Sequence, residues 1–236
     1  MRIAVVTSTQ GRSTITRAIK SVQDQTRKAT HYVFIHGADY SDKTTPHLAP
    51  DTVAVHLPRA NGTGGYGMAP VFALAPFVVD EDIIFYLDDD NWYEPDHIES
   101  LASMIEEHDL GWAYSLRKIV DNEGNLICED NCESLGCHTN ASGHYLVDNS
   151  CYAVRTDVAR KHSHAWYVPI ISDRNFQAEL MKARIKTGTT GRHTINYRLS
   201  HDGTGGMTRE KFLGNNEWMK QNRPGFEWTK KQIFNF

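Results

Sequence analysis

Asp88, Asp89 and Asp90 stand side by side at the end of the apolar run Asp82-Ile83-Ile84-Phe85-Tyr86-Leu87, and Asn91 follows them. Adjacent carboxylates repel one another and resist desolvation, so packing gives no reason to place three of them there. A positive partner does. A hard divalent ion such as Mn2+ or Mg2+ takes oxygen ligands, and one or two carboxylates hold it while water and substrate phosphates fill its other positions. The competing reading is that the aspartates cap the next helix and face water. The carboxyl end of a central strand is where open α/β sheets place ligands, which favours the first.

The elements around this cluster alternate short β-rich runs with helical periodicity, which predicts an α/β chain with a mainly parallel central sheet flanked by helices. Arg2 to Thr7 reads as the first strand, and the turn Ser8-Thr9-Gln10-Gly11 leads to a helix from Ser13 to Gln25 with Ile15, Ile19 and Val22 on one stripe. His31 to Ile35 and Val53 to Leu57 are further strands. Asn61-Gly62-Thr63-Gly64-Gly65-Tyr66-Gly67 is a turn or a ligand cradle, and a short helix follows it before Pro76. Asp82 to Leu87 is expected in the middle of the sheet, buried on both faces. Ile98, Leu101, Met104 and Ile105 give the next helix its apolar stripe, starting near Pro95 and ending near His108. Trp112 to Val120 and Leu126 to Cys128 flank a hairpin turn, Asp121-Asn122-Glu123-Gly124-Asn125. Ser150 to Val154 and His193 to Leu199 complete the strands; Asp173 to Ala183 and Glu210 to Lys220 complete the helices.

The 236 residues, 40% of them apolar, suit a single domain: residues 1–110 as one half, 111–205 as the other, and 206–236 as a C-terminal tail. The formal charge of -4 excludes the basic footprint of a general nucleic-acid or anionic-membrane binder. No stretch approaches the roughly 18 apolar residues of a membrane span, and the chain opens on a strand-like run without a charged leader, so a cytoplasmic address is expected. There four cysteines stay reduced.

Phe85-Tyr86-Leu87-Asp88-Asp89-Asp90-Asn91-Trp92-Tyr93-Glu94-Pro95 resembles the D-x-D segment of the inverting GT-A (Rossmann-like) glycosyltransferases of family 2. Ser21-Val22-Gln23-Asp24-Gln25-Thr26 is similar to that family's Ser-Val-x-x-Gln-Thr, Val5 to Arg12 resembles its opening strand and nucleotide loop, and Asn61-Gly62 stands where it has Asn-x-Gly. The resemblance covers roughly the first hundred residues and is patchier beyond. It implies Thr7, Thr9 and Arg12 near the base and ribose of a nucleotide-sugar donor, Asp88 on the nucleotide sugar with Asp89 assisting, and Asp90 on the metal beneath the diphosphate. Asn61 joins the donor-binding set, and Asp39, near the end of the second strand, is placed close to the base, although the consecutive acids common there in the family are replaced by Ile35-His36-Gly37-Ala38-Asp39.

An inverting transfer needs a general base for the acceptor hydroxyl. The counterpart of the family's base is Asp173 in Ile171-Ser172-Asp173-Arg174, where Ser172 replaces the usual Glu; a helix N-cap is the plain alternative. By the same resemblance His201 of Leu199-Ser200-His201-Asp202-Gly203 is the third metal ligand, with His193 the fallback. The segment Gly203 to Arg209 reads as a loop that closes over phosphates, with Arg209 or Lys211 as counter-charge, or as an ordinary surface loop. Together these imply a metal-dependent inverting glycosyltransferase using a nucleotide sugar, expected to be a UDP-sugar, and Mn2+ or Mg2+. The acceptor hydroxyl is left open between a glycan, a small molecule and a modified DNA base, the last because of the basic residues Arg209, Lys211, Lys220, Arg223, Lys230 and Lys231. A sugar nucleotidyltransferase and a non-catalytic nucleotide-sugar binder are the competing classes. Cys128, Cys132, Cys137 and His138 carry zinc-ligand chemistry, but at a spacing foreign to knuckles and ribbons, so reduced, partly buried thiols are expected.

Overall fold

The computed structural model describes residues 1–60, 68–167, 171–199 and 207–236. Ile3–Thr9 forms β1, Ile15–Gln23 α1, Thr30–Ile35 β2, Ala38–Thr44 α2, Val53–His56 β3, Met68–Leu74 α3, Ile83–Asp88 β4, Trp92–Tyr93 β5 and His97–His108 α4. The second half adds β6 (Trp112–Val120), β7 (Leu126–Glu129), β8 (Tyr152–Arg155), α5 (Thr156–Lys161), α6 (Ser172–Lys182), β9 (Thr187–Arg198), α7 (Arg209–Asn222) and β10 (Gln232–Phe234).

One sheet runs through both halves in the order β10-β9-β6-β8-β4-β1-β2-β3, with β5 on β9 and β7 on β6. The strands β4, β1, β2 and β3 are parallel, as expected. Beyond β4 the sheet is mixed rather than parallel: β8 runs antiparallel to both β4 and β6, while β9 pairs parallel with β6. The periodicity of single strands carries no information on direction, and the short β8 enters from a 3-10 turn instead of a crossover helix. Ile83 to Leu87 are wholly buried, because β4 lies between β1 and β8.

The Ser-Val-x-x-Gln-Thr motif has a mechanical reason. Gln25 is buried; its Nε2 donates to Ser21 O (2.9 Å) and Glu94 O (2.7 Å), and its Oε1 accepts from Ile98 N (2.9 Å). Ser21 Oγ accepts from Tyr93 N (3.2 Å), and Thr26 N donates to Pro95 O (2.9 Å). The end of α1 therefore grips β5 and the start of α4 and fixes the path of the chain leaving the aspartates. With Ile15, Ala18, Ile19 and Val22 buried, α1 cannot rotate without opening the core.

Residues 207–236 are integrated into the fold. β10 extends the sheet beside β9, and Phe212, Met219 and Trp228 form a second core with Leu116, Ile119, Cys132 and Leu135. Three of the basic side chains there have partners: Arg223 donates to Thr139, Lys230 pairs with Glu227 at 2.8 Å, and Lys231 lies 3.7 Å from Glu107. Cys128, Cys132, Cys137 and Cys151 are free thiols, and burial raises the pKa of Cys128 to about 11 and of Cys137 to about 12. No helix among the described residues is long and apolar enough to cross a membrane.

Candidate active site

Strand register brings the polar residues together. Ser8 pairs with Asp88 across β1 and β4, so the next residue, Thr9, comes beside Asp89, and Thr9 Oγ1 donates to Asp89 Oδ2 at 2.7 Å. On the other side Phe85 pairs with Ala153, and continuing that register sets Asp88 against Ser150, whose Oγ accepts from Asp88 N at 3.3 Å. Asn149 Nδ2 donates to Asp88 Oδ1 (2.8 Å) and Asn91 Nδ2 to Asp88 Oδ2 (3.3 Å). Trp92 pairs with Asn196 across β5 and β9, which puts Asp90 opposite Arg198; Arg198 Nη2 donates to Asp90 Oδ2 at 2.8 Å. Arg12 Nη1 donates to the same oxygen at 2.9 Å and lies 3.4 Å from Asp89 Oδ1. Gly11, at φ +75°, turns the chain to present Arg12, and a side chain there would be strained.

The three carboxylates thus have different surroundings. Burial raises the pKa of Asp88 well above the usual carboxylate range, with Asp148 and Asp90 adding repulsion. Asp89 is pushed up to about 6, mostly by burial, although Arg12 and Thr9 act against the shift. Asp90 is the most cation-rich of the three. A cleft of about 420 Å³ beside it is lined by Thr14, Arg17, Trp92, Asn122 and Arg198, among others, with the Arg17 guanidinium over the Trp92 ring at 4.4 Å.

Asp173 sits in the first turn of α6, whose N-cap position is Ile171. Its Oδ1 accepts from Arg174 N (2.7 Å), and Tyr152 Oη donates to its backbone carbonyl (3.3 Å). Burial lifts its carboxyl to about 6, and Asp148 contributes in the same direction. Asp148 therefore bears on both Asp88 and Asp173 while Arg117 Nη1 donates to it. Arg117 is buried and also binds Asp130 and Glu133.

The remaining expected residues fall in different places. Thr7 is fully buried, and its hydroxyl meets His31 Nε2 at 2.9 Å, so its side chain lies in the protein interior between β1 and β2. Burial lowers His31 to about 4, which keeps that imidazole neutral. Asp39 is exposed in the first turn of α2. Asn61, His201 and the loop Gly203 to Gly206 lie outside the described residues. His193 faces Glu129 at 3.7 Å and Asp130, within the second half of the sheet.

Oxygen donors at the tip of β4 suit a hard cation, and the structure already sets two positive groups on Asp90. Among the described residues no three His, Cys, Asp or Glu side chains are grouped to hold a metal ion, so Asp90 with His201 and substrate oxygens would have to complete the ligand set. Asp148, Asn149, Ser150 and Arg198 are site residues the sequence reading did not single out. The polar triplet just before an apolar strand was a usable signal for the first three. Arg198 depends on a two-residue strand pairing too short to leave one.

Residues 3–130, more than half of the chain, match the glycosyl transferase family 2 model. The chain belongs to glycosyl transferase family 2. Two solved structures are similar in fold. S. aureus TarS 1-349 in complex with UDP-GlcNAc superposes over 88% of this chain and 61% of TarS 1-349, at a TM-score of 0.62 and 15% identity. The UDP complex gives 0.60 over 85% and 61%, again at 15% identity. A 57-residue stretch is 37% identical to an uncharacterized protein of Haemophilus influenzae, covering 24% of this chain and 37% of that protein. The family 2 chain described here thus spans less than two thirds of the length of these relatives.

Proposed function

We propose that the protein is a metal-dependent, inverting glycosyltransferase that moves a sugar from a UDP-sugar to an acceptor hydroxyl. The observation that carries this reading is the set of Asp88, Asp89 and Asp90 at the carboxyl edge of the sheet, together with a further buried carboxyl, Asp173, that is linked to Asp88 through Asp148, which raises the pKa of both. Family 2 membership and the UDP and UDP-GlcNAc complexes of the TarS fold support the donor class.

In this reading Thr9 and Arg12 face the nucleotide, with Asp39 and Asn61 on its base side and Thr7 supporting the loop from within. Asp88 orients the donor sugar through its carboxyl group, itself aimed by Asn149 and Asn91. Asp89, anchored by Thr9, holds Arg12 toward the diphosphate. Asp90 and His201 would hold Mn2+ or Mg2+, and that ion, when bound, supplies positive charge against the leaving diphosphate. Asp173 takes the acceptor proton as the hydroxyl attacks the anomeric carbon from the face opposite the diphosphate. Its raised pKa fits a base that is ionised at neutral pH yet basic enough to accept a proton. The acceptor is a hydroxyl of a glycan, a small molecule or a modified nucleobase.

The test is nucleoside diphosphate release from a panel of nucleotide sugars with Mn2+ or Mg2+, in the presence of pooled acceptors. UDP release from at least one UDP-sugar, abolished by chelation, is expected. A protein that binds UDP-sugars yet never turns them over would be a binding module.

A further inference from the structure

Two guanidiniums meet on a single oxygen of Asp90: Arg12 Nη1 at 2.9 Å and Arg198 Nη2 at 2.8 Å. They are held differently. Arg12 is 59% exposed and follows the Gly11 turn, whereas Arg198 is 16% exposed and fixed on three sides. Its Nη1 donates to Asn122 Oδ1 at 2.6 Å in the β6–β7 turn, its backbone N–H donates to Asn91 Oδ1 at 3.0 Å, and the β5–β9 register sets it across from Asp90. Together the two arginines carry the same charge as one divalent ion. An ion arriving with both in place would share a half-buried carboxylate with two like charges a few ångströms away, which opposes its binding. A nucleoside diphosphate changes the balance, because its oxygens accept guanidinium forks bidentately.

We propose that Arg198 and a divalent ion compete for the same oxygen of Asp90, so that each excludes the other there. The ion then binds tightly only together with a nucleoside diphosphate, which takes over the released guanidinium. Asn122 is the latch that keeps Arg198 on Asp90 when no donor is present. The inference rests on the assignment of Asp90 as a metal ligand made above, and it adds an order of events: metal and nucleotide enter as a pair.

Mn2+ binding, read from the electron paramagnetic resonance signal of the free ion, tests it on the full chain with and without UDP. Wild type should bind Mn2+ weakly alone and tightly with UDP. Arg198→Gln should bind Mn2+ alone about tenfold more tightly, the factor expected on removing one charge-assisted competitor, so the gain on adding UDP shrinks. Asn122→Ala should shift the same way by less, and it carries the test if thermal melting shows Arg198→Gln unfolded. Asp90→Asn should bind no Mn2+ in either condition. Unchanged or weaker nucleotide-free Mn2+ binding in both Arg198→Gln and Asn122→Ala, with Asp90→Asn still inactive in binding, overturns the exclusion and leaves the proposed function standing. Wild type that binds no Mn2+ even with UDP overturns both.

Discussion

Arg117 Nη1 donates to Asp148 Oδ2 inside the protein, where the two side chains are 3% and 8% exposed, and Asp148 in turn raises the pKa of both Asp88 and Asp173. The same guanidinium binds Asp130 Oδ2 at 2.8 Å and Glu133, and it lies over the Tyr197 ring at 4.3 Å. One arginine thus balances three carboxylates behind the site. Arg117→Met removes the cation and leaves those acids buried without it, which should destabilise the protein by roughly 3–5 kcal/mol. Urea unfolding at pH 7 measures this; a loss under 1 kcal/mol (roughly the worth of a surface pair) would mean that Arg117 is not the hub described.

Asp173→Asn keeps the shape of α6 and removes the proposed proton acceptor. Sugar transfer should fall about 100- to 10,000-fold with little change in UDP affinity. Steady-state rates alongside UDP titrations separate the two, and a variant that lost UDP binding and rate together would place Asp173 with the donor.

The pH profile follows from the same residue. Transfer should drop as pH falls through about 6, where the Asp173 carboxylate takes up a proton. Asp173→Glu, if active, should move that limb, whereas a limb unmoved by any change at 173 belongs to another group.

Stability should run the opposite way to activity. Asp89 and Asp173 both titrate near 6 when folded, above the roughly 3.9 of an unfolded Asp, so the native state binds more protons between those values. Their contribution to stability is present below about pH 4 and is lost as pH rises toward 6. At pH 7 Asp173→Asn should therefore be more stable than wild type, by about 1–2 kcal/mol. Denaturation midpoints at pH 7 and pH 5 check this: the advantage should shrink at the lower pH, and a variant less stable at pH 7 contradicts the burial argument.

Much of the first half was legible because its signals are local. The apolar run of β4, the stripe of α1 and the Gln25 motif each act through neighbours within a turn or an adjacent strand, and each lies within a few residues of its expected bounds. The second half was harder to read. β8 carries four residues and β5 two, so their pairings leave no periodicity, yet those pairings deliver Ser150 to Asp88 and Arg198 to Asp90. The polar composition of residues 206–236 suggested a tail, but Phe212, Met219 and Trp228 are spaced widely enough that their shared core appears only in three dimensions.

Calorimetric titration of UDP with Mn2+ into wild type, into wild type with EDTA and into Asp90→Ala tests the central claim most directly. Chelation and the substitution should each weaken UDP binding at least about tenfold, the loss of one strong charged contact, and should not add when combined. Asp90→Ala that binds UDP and Mn2+ as tightly as wild type would contradict the assignment of the β4 tip as the seat of the donor's diphosphate.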